Sequence, residues 1–408
     1  MAENHSSPRI FLSAGEASGD HYGAQLILEL NSRHPGSTFF GLGGKEMEAA
    51  GLNRIVRAED VAHMGITEVV RHAPRIYGEY RRLVTSIKKQ RPDIAVLIDF
   101  PDVNFRLARE LRQLNVPVIY FVSPQLWAWK RRRLRWVQER VNRMMVIFPF
   151  EEPFYRARGV DAAFVGHPLA QLPMPSSKRA EYAMKHELDP TKDWIALLPG
   201  SRRKEIQLNL PEMLRASEIL NRQNTYELVL PVASTIDTAL LCSFLKPTST
   251  KVRLVDDARE ALYHARASIV ASGTATVQAA IIGNPFVVVY QVSPLTFTLA
   301  KRLVDYPPEI PAPEDAYGNL PIAMVNLVAG RRIVPELIQQ QFTAANVAST
   351  MRPLLADTPE RAQMMADLAE VRTKLTPLTA ENPIQQVASA VGELLETASE
   401  SPRETSNS

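Results

Sequence analysis

Cysteine is almost absent from this sequence: Cys242 is the only one in 408 residues. A single thiol excludes an intrachain disulfide framework and fits a reducing compartment. Nowhere do about eighteen apolar residues follow one another, so no segment reads as a membrane-spanning helix. The opening MAENHSSPRIFLSAGEASGD has no basic stretch followed by an apolar one, and no secretory signal is expected from it. Surplus charge is missing too. Lysine and arginine number 47 against 44 acids, a net of +3, which is too little to imply a nucleic-acid partner. No G-x-G-x-x-G follows an early strand, and no acid closes a second strand at the right distance, which argues against a nicotinamide or flavin site.

What remains is an ordinary globular composition, 45% hydrophobic, on a chain longer than one core usually fills. Two domains of about 150 to 200 residues are therefore expected. The organising stretch is WIALLPGSRRKEIQLNLPEML, from Trp194 to Leu214. Ile195 to Leu198 reads as a buried strand, Pro199-Gly200 stops it, and an amphipathic helix follows. Gly200 lets backbone come close to a ligand, Ser201 can cap the helix, and Arg202, Arg203 and Lys204 set cations beside free N–H groups at the positive end of the helix dipole. That combination suits a phosphate or diphosphate. About seventy residues on, ASIVASGTATVQAAIIGNPFVVVYQ reads as one βαβ unit whose turn offers Ser272, Gly273, Thr274 and Thr276 to an anion. Two anion loops on one parallel sheet suggest a nucleotide diphosphate.

Along the chain, Arg9–Ala14 and Thr38–Leu42 read as strands, each leading through a glycine turn into a helix, the way a doubly wound domain begins. From Met64 to Tyr77 an apolar stripe that includes Ile66, Val69, Val70 and Ile76 alternates with arginines; it fits either a core-facing helix or a helix lying on a membrane surface. The strand Ile94–Ile98 ends at Asp99 and Asp102. Asp102 reads as a helix cap, whereas Asp99 precedes the helix and has no such role. Val118–Val122 leads into SPQLWAWKRRR, where Trp127 and Arg131 belong to an aromatic and basic cluster suited to phosphates or an anionic surface. Val146–Phe148 reads as another strand, and QLPMPSSKRAEY as a linker. A second α/β pattern runs from Trp194 through Leu228–Val232 and Val252–Val255. VNLVAGRRIVPELIQ then brings Asn326 and Gly330 to the start of a further helix. The expected division is 1–170, 171–345, terminal helices over 346–398 that pack back on the first domain or on a partner subunit, and a polar tail over 399–408.

SAGEASGD, GLGGKEMEAAG, MGITEVV, IDFPDVNF, SPQLWAWKRRR, FPFEEPFY, FVGHPL, LLPGSRRKE, ASGTAT, LAKRLV and NLVAGRRIVPELIQ occur in that order from Ser13 to Gln339. The ordered set resembles lipid A disaccharide synthase. The resemblance implies a GT-B fold, two Rossmann-like α/β domains facing across a cleft. It also implies an inverting transfer of 2,3-diacylglucosamine from UDP to the 6-hydroxyl of 2,3-diacylglucosamine 1-phosphate. It further implies a cytoplasmic homodimer peripheral on the inner membrane. No cofactor or metal is expected. UDP contacts would come from Gly200, Ser201, Arg202, Ser272, Gly273, Thr274, Thr276, Gln278 and Asn326; the acceptor and membrane side from Ile66, Val69, Val70, Ile76, Trp127 and Arg131. Gln278 stands where the family usually has Glu, and Val325 where it usually has Pro. Because a sugar hydroxyl attacks poorly unaided, a base is needed, and Asp99 leads a group completed by Asp102, Glu16 and Asp20. Other readings of the same pattern are a UDP-sugar epimerase or a non-catalytic nucleotide-sugar binder.

Overall fold

The computed structural model describes residues 7–60, 66–222, 226–233, 236–245, 251–377 and 379–400; over 66–75 and 398–400 it describes backbone alone. The chain divides into two compact units, one holding residues up to Pro168 and again from Pro377, the other Leu169–Thr376.

The first unit is built on β1 (Arg9–Ala14), β2 (Thr38–Gly43), β3 (Leu52–Arg57), β4 (Ile94–Ile98), β5 (Val118–Phe121), β6 (Arg143–Val146) and β7 (Ala162–Phe164). Its connections include α1 (Ala17–Arg33), α2 (Lys45–Ala49), α3 (Ile66–Gln90), α4 (Pro101–Gln113), α5 (Leu134–Arg140) and α6 (Glu151–Arg156). All strands pair in parallel, in the order β3-β2-β1-β4-β5-β6-β7. The central runs IAVLI and VIYF are apolar but for the Tyr120 hydroxyl and are fully buried, as a parallel sheet covered by helices on both faces requires.

The second unit carries α7 (Arg179–Lys185), β8 (Trp194–Leu198), α8 (Arg203–Asn221), β9 (Glu227–Pro231), α9 (Thr238–Leu245), β10 (Val252–Val255), α10 (Ala258–His264), β11 (Ala267–Ala271), α11 (Thr274–Ile282) and β12 (Phe286–Tyr290). It continues with α12 (Pro294–Leu303), α13 (Met324–Ala329), β13 (Glu336–Ile338), α14 (Ala344–Leu355) and α15 (Pro359–Leu375). Its sheet is again parallel, ordered β10-β9-β8-β11-β12-β13. The α/β fold class with two doubly wound sheets is thus the one the sequence pattern predicts.

The last helix, α16 (Pro383–Glu400), belongs to the first unit, where it packs on α1, β4 and β5. Ile384, Val387 and Val391 enter the same core as Leu12, Leu26, Ile27, Val96 and Phe121. Each such buried aliphatic contributes about 1.5 to 3 kcal/mol. By contrast, α14 and α15 stay with the second unit. Among the described residues no helix is long and apolar enough to cross a membrane.

One strand was not expected, and three local expectations are corrected. Leu52–Arg57 is a strand the sequence hid, because as an edge strand it alternates exposed Asn53 and Arg57 with buried Leu52 and Val56. β6 lies at Arg143–Val146, three residues before the expected strand, and Phe148 leads into α6. Gly330 ends a helix instead of opening one: it takes φ 73° at the C-cap of α13, and a short strand follows. Asp102 does not cap α4; the cap position is Phe100, and Asp102 sits in the first turn.

Candidate functional site

In each sheet the two central strands mark the point where the order of connection reverses, the place where open α/β sheets bind ligands. In the first unit that point lies between β1 and β4. Their pairing runs to Ala14 opposite Ile98, so the loop bearing Glu16 and the loop bearing Asp99 leave the sheet side by side.

Asp99 and Phe100 both adopt left-handed backbone, φ 45° and 48°. For residues with a Cβ this conformation costs roughly 1 to 2 kcal/mol each. Such strain persists where surroundings enforce it and gathers at functional sites. Burial, and after it the nearby Glu16 charge, raise the Asp99 carboxyl to about 6. A carboxylate near that value is still ionised at neutral pH and is a stronger base than an exposed aspartate. Glu16 is exposed at the start of α1, and its side chain bonds no N–H of that helix. If Asp99 must be ionised for turnover, kcat/KM rises as pH passes about 6. Glu16→Gln removes a repelling charge, favours the Asp99 carboxylate and moves that limb to lower pH; a pH profile of kcat/KM measures the shift.

The other two acids are engaged elsewhere. Asp20 is buried and accepts from the Gly44, Glu46 and Met47 amides at 2.7, 3.0 and 3.1 Å, so it caps α2, the helix after its own. Asp102 points to solvent, 71% exposed, and pairs with Arg133 at 2.6 Å. Trp127 is not on the surface as an acceptor contact requires: it is buried, and its indole N–H donates to Glu151 at 3.1 Å. The exposed indole of the SPQLWAWKRRR stretch is Trp129, with the Lys130 ammonium 4.0 Å above it, and Arg131 lies exposed in the turn that follows. Ile76 is half-buried and Tyr77 exposed on α3. Met64 lies outside the described residues, and for Ile66, Val69 and Val70 only the helical backbone is described.

Glu151 itself is a group that sequence reasoning missed. Its second oxygen accepts from the Phe148 amide at 3.1 Å, and burial raises the carboxyl to about 8. In the unfolded chain it titrates near 4.3. Folding is therefore favoured by this group below that value and progressively less so as pH rises to about 8. Melting temperature should fall over that interval, and Glu151→Gln, which cannot ionise, should flatten the slope; calorimetry at pH 5, 6, 7 and 8 reads it.

In the second unit the switch point lies between β8 and β11, paired up to Leu198 opposite Val270. The Pro199–Arg203 and Ala271–Thr274 turns therefore lie together. Gly200 has φ 118°, and a Cβ there would come 2.4 Å from Glu205 Oε2. Glu205 is the reason for the tight fit: it accepts from the Ser201 and Arg202 amides at 3.0 and 3.3 Å and from the Arg202 guanidinium at 3.2 Å. The N-cap position is thus Arg202, not Ser201, and the capping acceptor is the carboxylate three residues on. The spacing of a polar turn residue and a following Glu was the signal available. Arg202 keeps its side chain 75% exposed, with Arg203 and Lys204 exposed beside it.

Gly273 has φ 150°, and a Cβ there would meet nothing within 4 Å, so glycine answers here to backbone geometry and leaves the turn open on that side. Thr274 is exposed and Ser272 half-buried, while Gln278 lies half-buried one turn into α11. Two expected contacts are spent inside the fold. Thr276 is buried and donates to the Gly273 carbonyl at 2.8 Å. Asn326 is buried; its oxygen accepts from the Ile333 and Val334 amides and its nitrogen donates to the Val334 carbonyl and to Glu336. No hydrogen-bonding capacity is left on that amide for a ligand.

Residues 10–391 match the family model described as Lipid-A-disaccharide synthetase. The Lipid-A-disaccharide synthase of Acidobacterium capsulatum is 55% identical over 406 residues, covering 96% of this chain and 97% of that one. The enzyme of the same name from Koribacter versatilis is 48% identical, covering 94% and 97%. Among solved structures, that of CalG4, the calicheamicin glycosyltransferase, superposes with a TM-score of 0.59 at 17% identity, over 96% of this chain and 99% of that chain, which shows a shared fold.

Proposed function

The chain belongs to the lipid-A-disaccharide synthetase family, and from that premise we propose that it moves a 2,3-diacylglucosamine unit from UDP to the 6-hydroxyl of 2,3-diacylglucosamine 1-phosphate with inversion, releasing UDP. It is a hexosyltransferase of lipid A biosynthesis. The observation that carries the reading is the family match over nearly the whole chain at up to 55% identity. The placement of a cation-bearing turn and a hydroxyl- and glycine-bearing turn at one switch point supports that reading and gives it a physical form. In it the diphosphate lies against Gly200, Ser201, Arg202, Ser272, Gly273 and Thr274, and Gln278 bonds the ribose with an amide where the family's usual Glu would use a carboxylate. Backbone N–H groups and guanidinium stabilise the charge that develops on the leaving UDP. Asp99 takes the proton of the attacking hydroxyl. The decisive experiment is mass-resolved product formation from UDP-2,3-diacylglucosamine with the monosaccharide acceptor, with and without detergent. Bound UDP with no disaccharide formed would end the transferase reading.

Peripheral contact with the cytoplasmic face of the inner membrane and a homodimeric state are part of the same proposal. Both substrates carry acyl chains, and the stripe from Met64 to Tyr77 with its arginines suits the headgroup region. Replacing Ile66, Val69 and Ile76 with Ser should release the protein from anionic vesicles in a sedimentation assay with little change in melting temperature. A core-facing stripe would give the opposite pair of results.

A further inference from the structure

The Asp99 main chain is held by polar side chains that the transfer chemistry described above leaves unused. Its carbonyl accepts two hydrogen bonds, from Tyr120 Oη at 2.6 Å and from Asn104 Nδ2 at 2.7 Å. Asn104 Nδ2 also reaches the Ile98 carbonyl at 3.2 Å, and Asn104 Oδ1 accepts from Ser13 Oγ at 2.6 Å. The Asp99 amide donates to the Phe121 carbonyl at 2.9 Å. Ser13, Asn104 and Tyr120 are each 0% exposed. They come from β1, α4 and β5: Asn104 and Tyr120 bond the Asp99 carbonyl directly, and Ser13 acts on it through Asn104.

None of the three reaches solvent, and therefore none can touch a substrate. A buried polar group is costly unless bonded, and apolar side chains of the same shape would fill this space at no such cost. Core filling does not account for the cluster. What it fixes is a backbone that aspartate and phenylalanine do not adopt on their own, left-handed at two successive residues. With both its amide and its carbonyl tied, Asp99 has one direction open to its Cβ, and the carboxyl leaves the sheet beside the Glu16 loop.

We propose that Ser13, Asn104 and Tyr120 are positioning residues of the transferase, acting on turnover through the orientation of the Asp99 carboxyl. The inference rests on Asp99 being the base. Tyr120→Phe deletes one oxygen from the cluster and Ser13→Ala another, so the test does not depend on Asn104→Ala folding. Tyr120→Phe should lower kcat about tenfold or more, a misplaced general base being the cause, with KM for the UDP-sugar and affinity for UDP unchanged. The same substitution made in Asp99→Asn should change the residual turnover less than about twofold, because a positioning residue has nothing left to position. Losses that multiply equally in both backgrounds, or a lowered melting temperature with kcat intact, would overturn the proposal and leave the base assignment standing. A fully active Asp99→Asn would remove the base assignment, and the positioning role with it.

Discussion

Asp99→Asn should lower turnover by about 100-fold or more while UDP affinity and melting temperature stay near those of the unsubstituted protein. The size follows from the chemistry. A sugar 6-hydroxyl is a poor nucleophile until its proton is taken, and loss of a general base removes roughly two to four orders of magnitude. The selectivity follows from the structure. Asp99 holds its conformation through its main chain, whose partners an amide side chain leaves in place. The turns proposed to hold UDP belong to the other unit, and the proposal gives this carboxyl no contact with UDP. The raised carboxyl, about 6, supplies a control: whatever turnover remains in Asp99→Asn should lack the rise in kcat/KM near that pH. Normal turnover in Asp99→Asn, with Glu16→Gln inactive but folded, would move the base to Glu16.

The second large effect is on donor binding. Arg202→Ala should weaken UDP binding by roughly 10- to 150-fold, the value of a charge-assisted phosphate contact of about 1.5 to 3 kcal/mol. Among the described residues Arg202 pairs with Glu205, at 3.2 Å and largely in solvent. Exposed pairs of this kind contribute little to folding, so calorimetric titration should show the loss while the melting temperature barely moves. Glu205 sharpens the expectation. Its carboxylate already sits on the Ser201 and Arg202 amides, so an incoming diphosphate meets a resident negative charge, and the Arg202 cation offsets the repulsion. Unchanged affinity in Arg202→Ala would show that the Pro199–Arg203 turn does not hold the diphosphate.

The parts of this protein that could be read from the sequence are those that local chemistry determines. β1, β4 and β10 match the expected strands residue for residue, because RIFLSA, IAVLI and VRLV are short runs dominated by apolar residues and bounded by polar or turn residues. The Gly200 and Gly273 turns were equally legible, since only glycine takes their backbone angles cheaply. Two edge strands, β3 and β13, were not. Leu52–Arg57 and Glu336–Ile338 are half-solvated or short, and they lack a continuous apolar run. Side-chain partners were invisible for a different reason. Trp127 finds Glu151, Asn104 finds Ser13, and Asn326 finds Glu336 by way of the tertiary fold, so residue type and motif position showed that these groups mattered but not whether they faced a ligand or the interior. Asp20 illustrates the difference: its place in SAGEASGD suggested chemistry, and its three amide partners on α2 make it a bracket.

The return of the chain to its first unit bears on how the protein is made. The ribosome delivers β1 to β7 early, but the helix that covers one face of their core lies beyond Leu169–Thr376. At about 5 to 20 residues per second, that interval delays the covering helix by roughly 10 to 40 seconds. During it the nascent first unit presents the apolar surface that Ile384, Val387 and Val391 will later occupy. The second unit, contiguous in sequence, can complete its own core before the first does. A polypeptide released short of Pro383 would keep both sheets and both sets of loops, and it would emerge with a sticky face, fit for capture by chaperones or by another such chain.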